Sequence, residues 1–135
     1  MLLLKTKRKG GTKGGAPVDG ETDEHAIPLP GGPVRGSTTG RAPMAALDLL
    51  GRRWIMRLIW ELSREPAGFR ALQRRCDDMS SSVLNTRLRD LVNARIATQD
   101  PNGHYELTPI GVQLVDALGP LLTWSTTWAR ELEKN

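Results

Sequence analysis

The 135-residue chain has one cysteine, Cys76, and two histidines, His25 and His104. A single cysteine excludes an intramolecular disulfide framework and suits a reducing compartment. One cysteine and two distant histidines have no zinc-ligand spacing, so neither a metal nor a cofactor is expected. Long apolar runs are missing too. Met1-Leu2-Leu3-Leu4 is too short for the apolar region of a secretion signal, and nothing approaches the length of a membrane span, which points to the cytoplasm. There is no carboxylate pair with an evident pocket, no nucleotide loop and no histidine beside a nucleophile, which sets an enzyme aside. Lysine is scarce beyond the N-terminal region. From Arg41 onward thirteen Lys and Arg stand against eleven Asp and Glu, and only one of the thirteen is lysine. Arginine forks suit phosphates and guanine edges, and a net charge of +4 leans towards an acidic partner such as nucleic acid.

What is present divides into a tail and one domain. Residues 1–42 are rich in Gly, Pro, Thr and charge, with too little apolar surface to order themselves, and read as a solvated tail. The run Lys5-Thr6-Lys7-Arg8-Lys9 within it is a candidate basic arm for phosphates, and Met44, where periodic sequence begins, is an alternative start of translation. Residues 43–133 carry the domain. A short helix over Pro43–Leu50 puts Met44, Leu47 and Leu50 on one side and stops at Gly51. A second, from Arg52 to Arg64, aligns Trp54, Ile55, Leu58, Ile59 and Leu62, and Met56 and Trp60 widen that stripe towards a partner surface. Arg52, Arg53, Arg57 and Arg64 line its remaining, solvated face.

Phe69, Leu72 and Cys76 define a third, short helix with Arg70, Gln73 and Arg74 outward. After Asp77-Asp78-Met79 comes the most informative stretch, a helix ending near Leu91 and N-capped by Ser80. Val83, Leu84, Leu88 and Leu91 share its buried face, whereas Ser82, Asn85, Thr86 and Arg89 recur at i, i+3, i+4 and i+7 on the other. That second face is small, polar and cationic and contains no glutamate. Asn suits an adenine edge, Arg a guanine edge, and Ser or Thr either. Two short helices across a three-residue turn make a helix-turn-helix, with Arg70 and Arg74 beside the sugar-phosphate backbone. A winged helix used only for protein contacts would be expected to show apolar anchors at Ser82, Asn85, Thr86 and Arg89 instead.

The periodicity then changes to two. Ile96 and Thr98, the turn Asp100-Pro101-Asn102-Gly103, and Tyr105 and Leu107 read as a hairpin, with Asn102-Gly103 both suited to positive φ. This is a wing with Asn102 and His104 at its tip, His104 serving equally well as a turn-flanking polar residue. Thr108-Pro109 starts the last helix, which Gly119-Pro120 is expected to kink or divide. Its Leu118, Leu121, Leu122, Trp124 and Trp128, with Trp60, exceed what one small core absorbs, so a symmetric dimer is expected to bury them. The fold class is mainly α with a small β-hairpin.

From Ala46 to Trp124 the chain resembles the HxlR family of winged helix-turn-helix regulators, related in architecture to MarR-type regulators. The resemblance rests on Leu47-Asp48-Leu49-Leu50-Gly51-Arg52-Arg53-Trp54, Glu61-Leu62, Phe69-Arg70-Ala71-Leu72, the stretch from Met79 to Leu91, and Tyr105-Glu106-Leu107-Thr108-Pro109-Ile110-Gly111. It implies a homodimer that binds a pseudo-palindromic operator in double-stranded DNA and regulates nearby genes; the residues specify no effector. Base contacts then fall to Ser81, Ser82, Asn85, Thr86 and Arg89, and phosphate contacts to Arg70, Arg74, Ser80 and Arg87, with Arg87 alternatively steadying its helix. Arg52 replaces the second glycine of the family's Gly-Gly-Lys-Trp. Arg95 replaces the glycine after the recognition helix, so that exit is expected to be remodelled with Asn93 as its cap. The wing is short, which leaves most base readout to the helix. The N-terminal cysteine with which some members sense oxidants has no counterpart, and Cys76, core-facing, is expected to be inert.

Overall fold

The computed structural model describes residues 27–134. Their order is α1 (Ala42–Leu50), α2 (Ile55–Arg64), α3 (Phe69–Arg75), α4 (Ser81–Asn93), β1 (Ala97–Gln99), β2 (Tyr105–Leu107) and α5 (Pro109–Glu133). Helix α2 is the centre. Its Ile55, Leu58, Ile59 and Leu62 lie three or four residues apart on one face and are buried together with Leu72 of α3 and Leu84, Leu88 and Leu91 of α4. Leu49, Ala67, Cys76, Met79, Ile96 and Ala97 complete this core. Each fully buried aliphatic side chain contributes about 1.5–3 kcal/mol, so the three central helices are held mainly by burial.

Strands β1 and β2 pair antiparallel, with Ala97 opposite Leu107, Thr98 opposite Glu106 and Gln99 opposite Tyr105. Tyr105 also exchanges both backbone hydrogen bonds with Ala67, from the loop between α2 and α3, at 3.0 and 2.8 Å. Strand β2 is thereby hydrogen-bonded on both sides, to β1 on one and to Ala67 on the other. At the start of α5, Thr108 caps the helix by accepting from the Gly111 amide at 3.1 Å, and its hydroxyl lies 2.6 Å from the Arg95 carbonyl. Gly111 faces the Ile96 carbonyl so closely that an added Cβ would lie 2.2 Å from the oxygen. Only glycine fits there.

Several expectations need correction. On α1 the buried residues are Ala45, Asp48 and Leu49, and Leu47 is 63% exposed. The helix is rotated inward about an i, i+3, i+4 face because Asp48 takes a hydrogen bond from the Arg35 amide at 3.1 Å and an ion pair with the Arg35 side chain. Residues 27–41, grouped by composition with the tail, therefore lie against the domain, with Pro28 and Val34 buried. The Lys5–Lys9 run and His25 lie outside the described residues. Helix α2 begins at Ile55 rather than Arg52, because Trp54 precedes it at φ 76°.

Helix α5 is not divided at Gly119-Pro120; it runs unbroken from Pro109 to Glu133. The carbonyl deprived of Pro120's missing amide belongs to Asp116, an exposed residue whose carbonyl water can satisfy. The exit of α4 is not remodelled either. Arg95 itself takes φ 62°, its amide donates to the Val92 carbonyl and the Ile96 amide to the Leu91 carbonyl, which is the Schellman closure a glycine would make. Asn93 remains inside the helix. The wing turn differs too: Gly103 alone is at positive φ, the Asp100 amide donates to the His104 carbonyl, and Pro101-Asn102-Gly103 form a three-residue loop.

Two substitutions test these close fits. Arg95→Gly relieves a left-handed arginine and is expected to raise stability by about 0.5–1 kcal/mol after the entropy that glycine adds to the unfolded chain. Gly111→Ala drives a methyl into the Ile96 carbonyl and is expected to lower stability by about 1–3 kcal/mol. Equilibrium urea unfolding of both variants measures each; an Arg95→Gly variant less stable than the parent would show that the arginine makes a compensating interaction.

Candidate nucleic-acid interface

The turn between α3 and α4 uses two consecutive aspartates in the left-handed region, Asp77 at φ 58° and Asp78 at φ 56°. Aspartate tolerates this conformation better than most residues. The Asp78 amide donates to the Gln73 carbonyl at 2.9 Å, the Met79 amide to the Cys76 carbonyl at 3.2 Å, and the Met79 side chain is buried beneath. The Gln73 side-chain amide then donates to the Met79 carbonyl at 2.9 Å and to Ser81 Oγ at 3.1 Å. Gln73 thus clips the end of the turn to the first residue of α4. Sequence spacing places it outward with Arg70 and Arg74, and nothing in that spacing marks this reach.

Helix α4 starts where its cap requires. Ser80 Oγ accepts from the Val83 amide at 3.2 Å, with the serine backbone extended. Leu84, Leu88 and Leu91 are buried, which leaves Ser81, Ser82, Asn85, Thr86 and Arg89 exposed on the opposite side. Thr86 Oγ1 donates back to the Ser82 carbonyl at 3.0 Å, so its lone pairs remain available as acceptors. The side chains of Asn85 and Arg89 make no hydrogen bond or ion pair among the described residues. An amide that both donates and accepts, a five-donor guanidinium and hydroxyls thus share one solvent-facing surface.

Arg87 points the other way. Its Nε donates to the Arg53 carbonyl at 2.8 Å and its Nη1 to Asp90 Oδ2 at 3.2 Å, with Asp90 buried. Of the two roles expected for it, steadying the helix is the one these two hydrogen bonds serve, with the side chain 21% exposed.

On α3, Arg70 and Arg74 are exposed with no ion pair among the described residues. Arg75 pairs with Glu65 at 2.7 Å. Arg57, exposed as expected on the solvated face, also braces the fold: it pairs with Glu61 at 3.0 Å and Asp77 at 3.7 Å and donates to the Arg75 carbonyl. Its hydrogen bond to Glu61 raises its affinity for the proton further. The i, i+4 spacing of Arg57 and Glu61 was a readable signal; the link to Asp77 was not.

At the wing, Asp100 organises the tip. Its Oδ1 accepts from the Asn102 and His104 amides at 2.9 and 2.8 Å, and its Oδ2 lies 3.7 Å from His104 Nδ1. Asn102 and His104 are exposed at the end of the hairpin. On the far side of the molecule, Trp60, Leu121, Leu122, Trp124 and Trp128 lie between 44% and 54% exposed, with Leu118 half-buried. Trp124 and Trp128 stack with ring centroids 5.4 Å apart.

A helix-turn-helix with an outward polar recognition face, followed by a hairpin tied to its core, defines a winged helix-turn-helix protein, the architecture of helix-turn-helix transcriptional regulators. Residues 49–133 match the HxlR-like helix-turn-helix family, and the chain belongs to it. A curated relative, the HTH-type transcriptional regulator YvaP of Bacillus subtilis, is 28% identical over 89 residues, covering 62% of this chain and 82% of the relative. Among solved structures, a regulator ascribed to the MarR family from Enterococcus faecalis V583 superposes with a TM-score of 0.61 and 29% identity, covering 67% of this chain and 87% of its own. A factor ascribed to the HxlR family from Thermoplasma volcanium GSS1 gives 0.55 and 26%, covering 63% and 82%. The protein is thus a transcriptional regulator of helix-turn-helix type and not an enzyme.

Cys76 is fully buried, and burial pushes its thiol above its ordinary 9.0 despite the nearby Arg57. The protonated form is the folded protein's preferred one, so its contribution to stability is complete below that value and is lost as pH rises past it. A disulfide reagent at pH 8 is expected to label Cys76 only as fast as the protein opens. Labelling at the rate of a free thiol would assign Cys76 a reactive role.

Proposed function

We propose that the protein is a cytoplasmic, homodimeric transcriptional regulator that binds a pseudo-palindromic operator in double-stranded DNA. One α4 per half-site enters successive major grooves about 34 Å apart. The observation that carries this reading is the pairing of exposed, internally unengaged Asn85 and Arg89 with a helix that is capped by Ser80 and whose preceding turn and centre are held by hydrogen bonds to the rest of the domain. A side chain that reads a base edge must be free itself and borne on a fixed support.

In this reading Ser81, Ser82, Asn85, Thr86 and Arg89 contact bases. Arg70 and Arg74 contact phosphates from α3, and Ser80, whose hydroxyl proton stays free after capping, contacts one from the start of α4. Asn102 and His104 approach the flanking backbone from the wing. The dimer closes over Trp60, Leu118, Leu121, Leu122, Trp124 and Trp128. A monomer seldom leaves so many large apolar side chains on one side in water, and a two-fold axis lets the same surface cover its copy.

Asn85→Ala or Arg89→Ala is expected to weaken operator binding by about 1–3 kcal/mol and to blur sequence preference. Arg70→Ala or Arg74→Ala is expected instead to weaken binding to all duplexes and to flatten the salt dependence by about one unit of slope per lost contact. Genomic fragment selection followed by titration of the selected operator measures both. Parental affinity in both α4 variants would sink the assignment of this face, and unchanged slopes would remove the two α3 arginines.

Assembly has its own test. A Trp60→Ser, Trp124→Ser or Trp128→Ser protein is expected to sediment as a folded monomer where the parent sediments as a dimer. Sedimentation of all three as unaltered dimers would move the interface elsewhere.

A further inference from the structure

Apart from the face proposed to read DNA and the tryptophan surface, the described residues form a partly open hollow lined wholly by apolar side chains. It measures about 290 Å³ and lies where residues 28–30, α1, the exit of α4 and the start of α5 meet. Pro28, Leu29 and Pro30 form one wall, Ala42, Ala45, Ala46, Leu49 and Leu50 of α1 a second, Ala94 and Ile96 a third, and Ile110 and Leu114 of α5 the fourth. None of these twelve residues carries a side-chain donor, acceptor or charge. The backbone oxygen of Ile96, one of the lining residues, is already occupied by the amide and hydroxyl of Thr108.

We propose that this hollow is a binding site for one small, uncharged, apolar molecule, of the size of a substituted single ring or a fused pair of rings. Volume sets the size, since an apolar cavity of about 150 Å³ holds benzene and this one is roughly twice as large. The walls set the chemistry. A charged or strongly hydrogen-bonding ligand would surrender its water to a surface that returns nothing, at a cost of several kcal/mol for an amide or hydroxyl and far more for an ion. Four separate segments of the same chain bound the hollow, unlike the outward tryptophan surface, and small alanines at three of its α1 positions leave the space that larger residues would fill.

The hollow's position gives such a ligand something to act on. Ala94 is the C-cap of α4 and Ile96 makes the hydrogen bond that closes it, so two of the walls belong to the exit of the recognition helix. The opposite wall, residues 28–30, belongs to the segment that Arg35 fastens to Asp48. A ligand wedged between them bears on the end of α4 and on the packed N-terminal segment together. An influence on operator affinity rests on the DNA-binding reading above; binding of the ligand itself does not.

The test therefore reads ligand binding on the full chain without DNA. Saturation-transfer NMR with naphthalene and indole as probes, and 2-naphthoate as the charged counterpart, is expected to show binding of the first two and none of the third. Ala46→Trp and, as an independent second variant, Ala42→Phe fill the hollow from α1 and are expected to abolish the signal while leaving the far-ultraviolet circular dichroism and the unliganded Tm of the parent. Three outcomes would overturn the proposal: no binding of either neutral probe to the parent, equal binding of 2-naphthoate, or retention of the signal in a folded filled variant, which would place the probe on the tryptophan surface. Absence of binding in the parent combined with conversion of Ala46→Trp from dimer to monomer would assign the hollow to a second copy of the chain instead.

Discussion

The structure depends on the contact of Leu84, Leu88 and Leu91 with the shared core formed by α2, α3 and the start of the wing. This one contact determines which residues of α4 meet solvent, because a helix has a single rotation that buries all three. With about 1.5–3 kcal/mol behind each buried leucine, rotating α4 by one residue position would cost more than any surface hydrogen bond could return. The exposed row of Ser82, Asn85, Thr86 and Arg89 is therefore a consequence of the core. Hydrogen bonds donated by Gln73 to the Met79 carbonyl and Ser81 Oγ and by Arg87 to the Arg53 carbonyl then fix the remaining freedom, the slide and tilt of the helix.

The same constraint explains where the chain tolerates strain. Asp77, Asp78 and Arg95 all stand in the left-handed region, and they bracket α4 at its two ends. Each costs about 1–2 kcal/mol relative to relaxed backbone, and each reverses the chain within one or two residues so that the leucines on either side can stay buried. Arg95 shows how firmly the fold dictates this geometry. A residue ill-suited to the conformation adopts it in full, with both Schellman hydrogen bonds, because the alternative would unseat Leu91 and Ile96.

Much of this was legible in the residues and some was not, for reasons that differ by interaction. The start of α4, its cap, its two faces and the presence of the hairpin follow from local chemistry: a serine before an apolar period, and a turn sequence between two alternating segments. Helix α1 was misread because its inward face contains Asp48, whose burial depends on Arg35, thirteen residues earlier and in a segment whose composition suggested no order. The bonds from Gln73 to Met79 and from Arg87 to Arg53 end on backbone carbonyls, which carry no residue identity, so no spacing pattern announces those partners. The continuity of α5 through Pro120 depends on the exposure of Asp116, a property of the folded surface alone.

The arginines sort themselves by the same logic, and the sorting bears on function. Arg35, Arg57, Arg75 and Arg87 each have an acid within 4 Å, namely Asp48, Glu61 with Asp77, Glu65 and Asp90. Three of those acids, Asp48, Glu61 and Asp90, are themselves buried and so need a cation. Arg70, Arg74 and Arg89 stand on α3 and α4 with no acid so placed among the described residues. Exposed ion pairs contribute at most about 1 kcal/mol, too little to favour keeping or losing such an acid on stability alone. In the proposed reading, Arg70, Arg74 and Arg89 on the outer surface of the helix-turn-helix, unpaired among the described residues, present their positive charge to phosphate, while Asp48, Glu61 and Asp90 hold the arginines that brace the fold.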